Sequence, residues 1–356
     1  MEIEKLKREL LHTNLDYLDK INIPDNNFGI EIEFAGALFI EIKDKLDEIL
    51  GYTPESLEQI NEIKKKKEKY EYWRLVKEPT VQENEYEKLK GGEINSPIMK
   101  NEKKYWQELE QVCEMLRERE NITISDKCGI HIHTDMGIFK VLQEYKNLLK
   151  IYIVYEDIIN RFAYGVDNKP RKTLLKYAKP FGGNIDTVKF LKKIDNIETE
   201  KDLLELIRSE EFVYSINSIR DPEYKSLKNY GINLINIIKK EVPTDEIGKN
   251  KIKTIEKKIY KSTLNTKIIQ NYARFDFCLL DYCKIENFDS EFIDYKIKNF
   301  KPICINDSLK EQPEKADEFF NKICKDELDR LKLLKQYYKV YNEFDIEKSI
   351  HLWYYH

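Results

Sequence analysis

Two histidines stand two residues apart in the stretch Lys127-Cys128-Gly129-Ile130-His131-Ile132-His133-Thr134-Asp135, and this spacing constrains the fold more than any other feature. Along a β-strand successive side chains point to opposite faces, so His131 and His133 share one face while Ile130 and Ile132 share the other. An isolated His-x-His is more often an exposed strand than a site. Here the alternation recurs. Phe28-Gly29-Ile30-Glu31-Ile32-Glu33-Phe34 sets two carboxylates on one face and apolar residues on the other. Tyr272-Ala273-Arg274-Phe275-Asp276-Phe277-Cys278 alternates too and, taken as a strand, gathers Arg274, Asp276 and Cys278. Three strands with matched polar faces predict one sheet lining a charged site.

The segments between them read as helices and short strands. Leucines 6, 10, 11, 15 and 18 repeat at helical spacing and predict a helix over 2–20, closed before Pro24 and followed by the turn residues Asp25-Asn26-Asn27. Helices are expected at 38–50 and 54–71, the second carrying a solvated lysine run. Tyr72-Trp73-Arg74-Leu75-Val76-Lys77 predicts a strand that delivers Glu78, and Gly91-Gly92-Glu93-Ile94-Asn95-Ser96-Pro97 predicts another that carries Glu93. An amphipathic helix over 101–119 buries Trp106, Leu109, Val112, Cys113 and Leu116. Further helices are expected at 139–163, 186–208, 289–300 and 313–342. Loops present Arg171 and the run Tyr177-Ala178-Lys179-Pro180, and a short strand or turn places Asn233. The stretch 239–261, rich in lysine, glutamate and isoleucine, reads as a charged helical or flexible insertion.

Composition removes several function classes. Charged residues make up 35% of the 356, but the formal net charge is only −4, which gives no basic excess for nucleic acid. No apolar run approaches the ~18 residues a membrane helix needs, so a cytoplasmic protein is expected. Six cysteines lie scattered with no Cys-x-x-Cys pair, which argues for reduced thiols and against a zinc knuckle. Neither a Gly-rich phosphate loop nor a Gly-x-Ser-x-Gly elbow occurs. Carboxylates, two histidines and a few cations remain. That inventory suits a divalent cation, and a nucleotide held through the metal in place of a dedicated loop. A metal-dependent hydrolase or phosphodiesterase would use the same inventory, and so would a catalytically degenerate nucleotide-binding protein.

The order of these motifs resembles the amidoligase family, within the carboxylate–amine ligase superfamily that includes glutamate–cysteine ligase and glutamine synthetase. Phe-Gly-Ile-Glu-Ile-Glu-Phe, Gly-Gly-Glu-Ile-Asn-Ser-Pro, Cys-Gly-Ile-His-Ile-His, Arg171 with Tyr177-Ala178, Asn233-Leu234 and the Phe275-Asp276-Phe277 stretch occur in sequence over about 28–300. The resemblance implies an α+β fold, a glutamine-synthetase-like funnel of antiparallel strands with helices on one side. The whole chain 1–356 would form one catalytic domain, with an N-terminal helix, the insertion at 239–261 and a helical extension over 301–356. It further implies ATP and Mg2+ or Mn2+ as cofactors, and metal ligation by Glu31, Glu33, Glu78, Glu93, His131 and Asp276. His133 and Lys179 would contact the nucleotide, and Arg171 and Asn233 would serve catalysis. The implied reaction is phosphorylation of a carboxylate substrate and attack of an amine substrate, a peptide or protein being among the candidates. The sequence leaves the oligomeric state open. Where the family pattern has Glu-Phe-Arg on its late strand, the reading above offers Asp276-Phe277-Cys278, so Arg274 is expected to take over from the missing arginine. Glu78-Pro79-Thr80 likewise replaces the usual Asp-Gly-Ser turn.

Overall fold

The computed structural model describes residues 2–12, 26–37, 39–50, 72–78, 81, 90–119, 122–124, 127–170, 174, 178–182, 185–208, 230–234 and 254–341. The expected helix over 54–71, Arg171, Tyr177, most of the insertion and the aromatic tail lie outside them. Six strands form one sheet: β1 (Phe28–Ala37), β2 (Arg74–Lys77), β3 (Lys90–Asn95), β4 (Gly129–Asp135), β5 (Ile232–Asn233) and β6 (Thr254–Lys261). Their order is β2-β3-β1-β4-β6-β5, and the strand pairs are antiparallel.

Register makes the sheet two-faced. Glu31 pairs with Asn95 and His131, and Glu33 with Glu93. His133 pairs with Glu256, and Glu256 with Asn233. Directly paired residues stand on the same face, so one face collects the polar side chains. The other carries Phe28, Ile30, Ile32, Phe34, Ile94, Ile130 and Ile132, all buried. At about 25 cal/mol per Å2 of apolar surface removed from water, burying that row ties the alternation to the stability of the fold. Gly91 and Gly92 are required where β3 passes β1: a Cβ would meet the Phe34 carbonyl oxygen at 2.9 Å in one case and the Phe34 ring at 2.8 Å in the other.

Helices cover the apolar face. In chain order they are α1 (Glu2–His12), α2 (Phe39–Ile49), α3 (Lys103–Arg117), α4 (Leu142–Val154), α5 (Glu156–Ala163), α6 (Thr187–Ile194), α7 (Glu200–Arg208), α8 (Thr266–Cys283), α9 (Ser290–Lys298), α10 (Pro313–Ile323) and α11 (Glu327–Tyr337). The expected helices at 139–163, 186–208 and 313–342 are each broken once, the first at Tyr155. Asp186, Asp289 and Asp326 start α6, α9 and α11 by accepting a backbone N–H from the first turn. Phe28 stacks on Trp106 of α3 and meets Phe277 of α8 edge-on, both at 5.3 Å. No described helix is long and apolar enough to cross a membrane.

Two sequence expectations are corrected. Residues 272–278 are not a strand but the middle of α8, in which almost every side chain is buried. Such a helix shows no amphipathic stripe, because it packs against the sheet on one side and α10 and α11 on the others. The late strand is β6, inside the stretch expected to be an insertion.

Candidate active site

The polar face centres on Glu31. Its Oε2 lies 3.0 Å from Nδ1 of His131 and its Oε1 3.0 Å from Nε2 of His133. Strand alternation turns both rings the same way, and the register with β1 sets the carboxylate between them. Glu33 approaches Nε2 of His131 at 3.5 Å and accepts the Gly129 N–H at 2.5 Å. Glu93 faces Glu33 across the ladder, and like charges directly opposed destabilise a sheet unless something neutralises them.

Glu256 closes the other side. Its Oε1 stands 3.8 Å from Nδ1 of His131, 3.8 Å from Nε2 of His133 and 2.9 Å from Nζ of Lys258. The amide of Asn233 donates to its Oε2 at 2.7 Å. Asn233 therefore holds a carboxylate of the cluster. Sequence reading missed Glu256 and Lys258, although Glu256-Lys257-Lys258 carries a glutamate and a cation spaced as in Glu-Phe-Arg; with a lysine at 257 the stretch shows no polar–apolar alternation. The density of lysine concealed it.

The electrostatics follow from crowding. Burial alone would raise Glu31, but the charge of His133 and hydrogen bonds from both imidazoles hold it far below the usual carboxylate range. Burial alone would lower His133, yet Glu31 and Glu256 outweigh it and raise the ring to about 9. Glu256 is lowered against its burial by His133, Lys258 and His131. Glu93 goes the other way, to about 7, through burial and the neighbouring charges of Glu31 and Glu33.

Among the described residues, two sets of donors fit a divalent cation. Glu31, Glu93 and His131 offer ligand atoms within 4.8 Å of one another, and so do Glu31, His133 and Glu256. The Nε2 atoms of both histidines are buried and face carboxylates of the cluster, that of His131 toward Glu33 at 3.5 Å and that of His133 toward Glu31 at 3.0 Å. Carboxylate oxygens with one imidazole match magnesium or, better, manganese. Glu78 follows β2, half-buried, and belongs to neither set. Lys179 is buried beside β5, where its backbone bridges Tyr230 and accepts the Gly231 N–H at 3.0 Å.

Asp276 and Arg274 lie elsewhere. As residues of α8 they sit on the helix side of the sheet. Asp276 accepts from Nζ of Lys257 at 2.5 Å and from the Tyr260 hydroxyl, and it enters neither metal-capable set. Arg274 is fully buried, its Nε 2.6 Å from Asp329 of α11 and its guanidinium also donating to Asn271. The expected substitute for the missing arginine thus points away from the cluster, and the cation beside Glu256 is Lys258. Arg171 is outside the described residues.

A family model described as "putative amidoligase enzyme" matches residues 24–280, the span that contains all six strands. No curated protein and no solved structure matches the chain.

Proposed function

The chain belongs to this amidoligase family, and on that premise we propose that it joins a carboxylate to an amine at the expense of ATP, through an acyl phosphate. The observation that carries the reading is the shared carboxylate, Glu31, which stands in both metal-capable sets. A divalent cation, Mg2+ or Mn2+, would supply positive charge there to offset that of a nucleotide's phosphates. Glu31, Glu93 and His131 would hold one ion, and Glu31, His133 and Glu256 the other. Glu33, fixed by the Gly129 N–H, keeps the His131 ring in place. Lys258 projects its ammonium beside Glu256, where a fixed cation stabilises charge that grows on a phosphoryl oxygen in the transition state. Lysine offers a single point charge in place of a fork, which makes it a weaker clamp than the family's arginine. We read the polar face as the open wall of a glutamine-synthetase-like funnel, with Asn233 steadying Glu256 and Lys179 on the β5 side toward the nucleotide.

The test is release of ADP and phosphate from ATP and Mn2+, with a panel of carboxylates, in the presence and absence of an added amine. Turnover that requires both, and an amide product by mass spectrometry, supports the ligase. ATP hydrolysis indifferent to amine would make the protein a metal-dependent hydrolase. Calorimetry adds a second arm: nucleotide should bind only with metal, and equal affinity with and without chelator would sink the metal-bridged arrangement.

A further inference from the structure

The polar face is one side of β6, and the other side holds a buried cluster that the proposed chemistry does not use. Between Ile130 and Ile132 the register of β4 against β6 shifts: Ile130 pairs with Tyr260, but Ile132 pairs with Lys257. β6 thus carries one extra residue, and Lys258 and Ile259 together oppose His131, which is a β-bulge. Strict alternation from Glu256 would turn Tyr260 to the polar face. The extra residue returns it to the helix side, where Lys257 already points.

Both side chains then meet one atom. Oδ1 of Asp276 accepts from Lys257 Nζ at 2.5 Å and from the Tyr260 hydroxyl, so a single carboxylate oxygen grips the strand on either side of the bulge. All three residues are at most 1% exposed. The grip is anchored to a rigid element, because Tyr260 stacks on Tyr272 at 4.2 Å and Lys257 lies 4.8 Å from the Phe275 ring, both on α8. On the bulge itself the Lys258 N–H donates to the Gly231 carbonyl at 3.0 Å.

A buried ion pair is a poor source of stability, since desolvation offsets most of the attraction; what such a pair can do is fix a register. Register matters here, because a slip of one residue in β6 sends every side chain to the opposite face. We propose that Asp276 is a positioning residue: by clamping the bulge of β6 through Lys257 and Tyr260, it sets where Glu256 and Lys258 stand on the far face of the sheet. The functional half rests on the metal and phosphoryl reading above; the clamp itself does not.

Asp276→Asn and Tyr260→Phe test it, with Asn271→Ala as a scaffold control on the same helix, where Asn271 reaches the Lys332 carbonyl on α11 and not the bulge. Tyr260→Phe keeps the ring stack and removes only the hydroxyl. Two quantities are read on metal-free, folded protein: amide exchange at Lys258 and Ile259 relative to β1, and Mn2+ affinity by calorimetry. The clamp predicts exchange at least about tenfold faster at 258–259 alone, and Mn2+ affinity about tenfold weaker, in both test variants. The control should lower Tm and change neither. Exchange that merely follows Tm, as in the control, overturns the proposal, and so does faster local exchange with unchanged Mn2+ affinity. If the parent protein binds no Mn2+, the metal reading falls, and exchange at Lys258 decides the clamp by itself.

Discussion

Glu31 meets two imidazoles at once, and that makes it the residue whose loss should be felt twice. Glu31→Gln is expected to weaken Mn2+ at both donor sets, while His131→Ala and His133→Ala each weaken one, by ten- to a hundredfold in calorimetry; unchanged affinity in all three would make the cluster a structural ion-pair network. The pH dependence has a definite sign. A group raised in the folded state contributes stability below its unfolded value and loses it as pH climbs through the folded one. For His133 that window runs from about 6.5 to about 9, and for Glu93 from about 4.5 to about 7. A metal needs the ring neutral, so the Tm difference between Mn2+-loaded and chelated protein should widen from pH 6.5 to 9, and a difference flat across that range would remove His133 from the ligands. Glu31, Glu33, Glu93, His131 and His133 were legible because two-residue alternation is a local property of the sequence. Glu256 and Lys258 were not, because a lysine-rich stretch reads as solvated until one sees that Lys257 is buried against Asp276.

Among the elements, α8 shows how alternation misleads. Phe275 and Phe277 flank Asp276 as they would on a strand, but on a helix buried on every side they pack against different neighbours. Arg274 then belongs to the scaffold. Arg274→Ala should cost about 3–5 kcal/mol in denaturant melts, since it strands Asp329 in the interior, whereas replacing both partners by apolar residues of similar volume should cost less. A loss confined to ATP turnover, with stability intact, would return Arg274 to the site. At the β3 crossing, Gly91→Ala forces a methyl against the Phe34 carbonyl and is expected to cost about 1–3 kcal/mol. The glycine pair and the strand that ends in Phe34 were each visible in the sequence; that the one makes room for the other was not, because the contact joins segments about sixty residues apart.

For the molecule as a whole, the family match ends at residue 280, yet α10 and α11 cover α8 with Phe319, Phe320, Leu333 and Leu334, all buried. Removing residues 301–356 should therefore abolish cooperative thermal unfolding, and a truncated chain that melts cooperatively near the parent Tm would show that these helices are dispensable. The fold class was legible because it follows from which strands are two-faced, and helix boundaries were less so because breaks such as that at Tyr155 depend on what packs against them. The same topology bears on how the protein comes into being. Glu31 reaches His131 across 100 residues, and the Glu33 carbonyl reaches Ser262 across 229. Contacts of such separation must overcome loop-closure entropy before they stabilise anything, and chains that depend on them fold slowly. No local fragment brings either donor set together, so in a refolding experiment the Mn2+ affinity expected of the cluster should appear with the slowest phase, as a record that the sheet has closed in the right order.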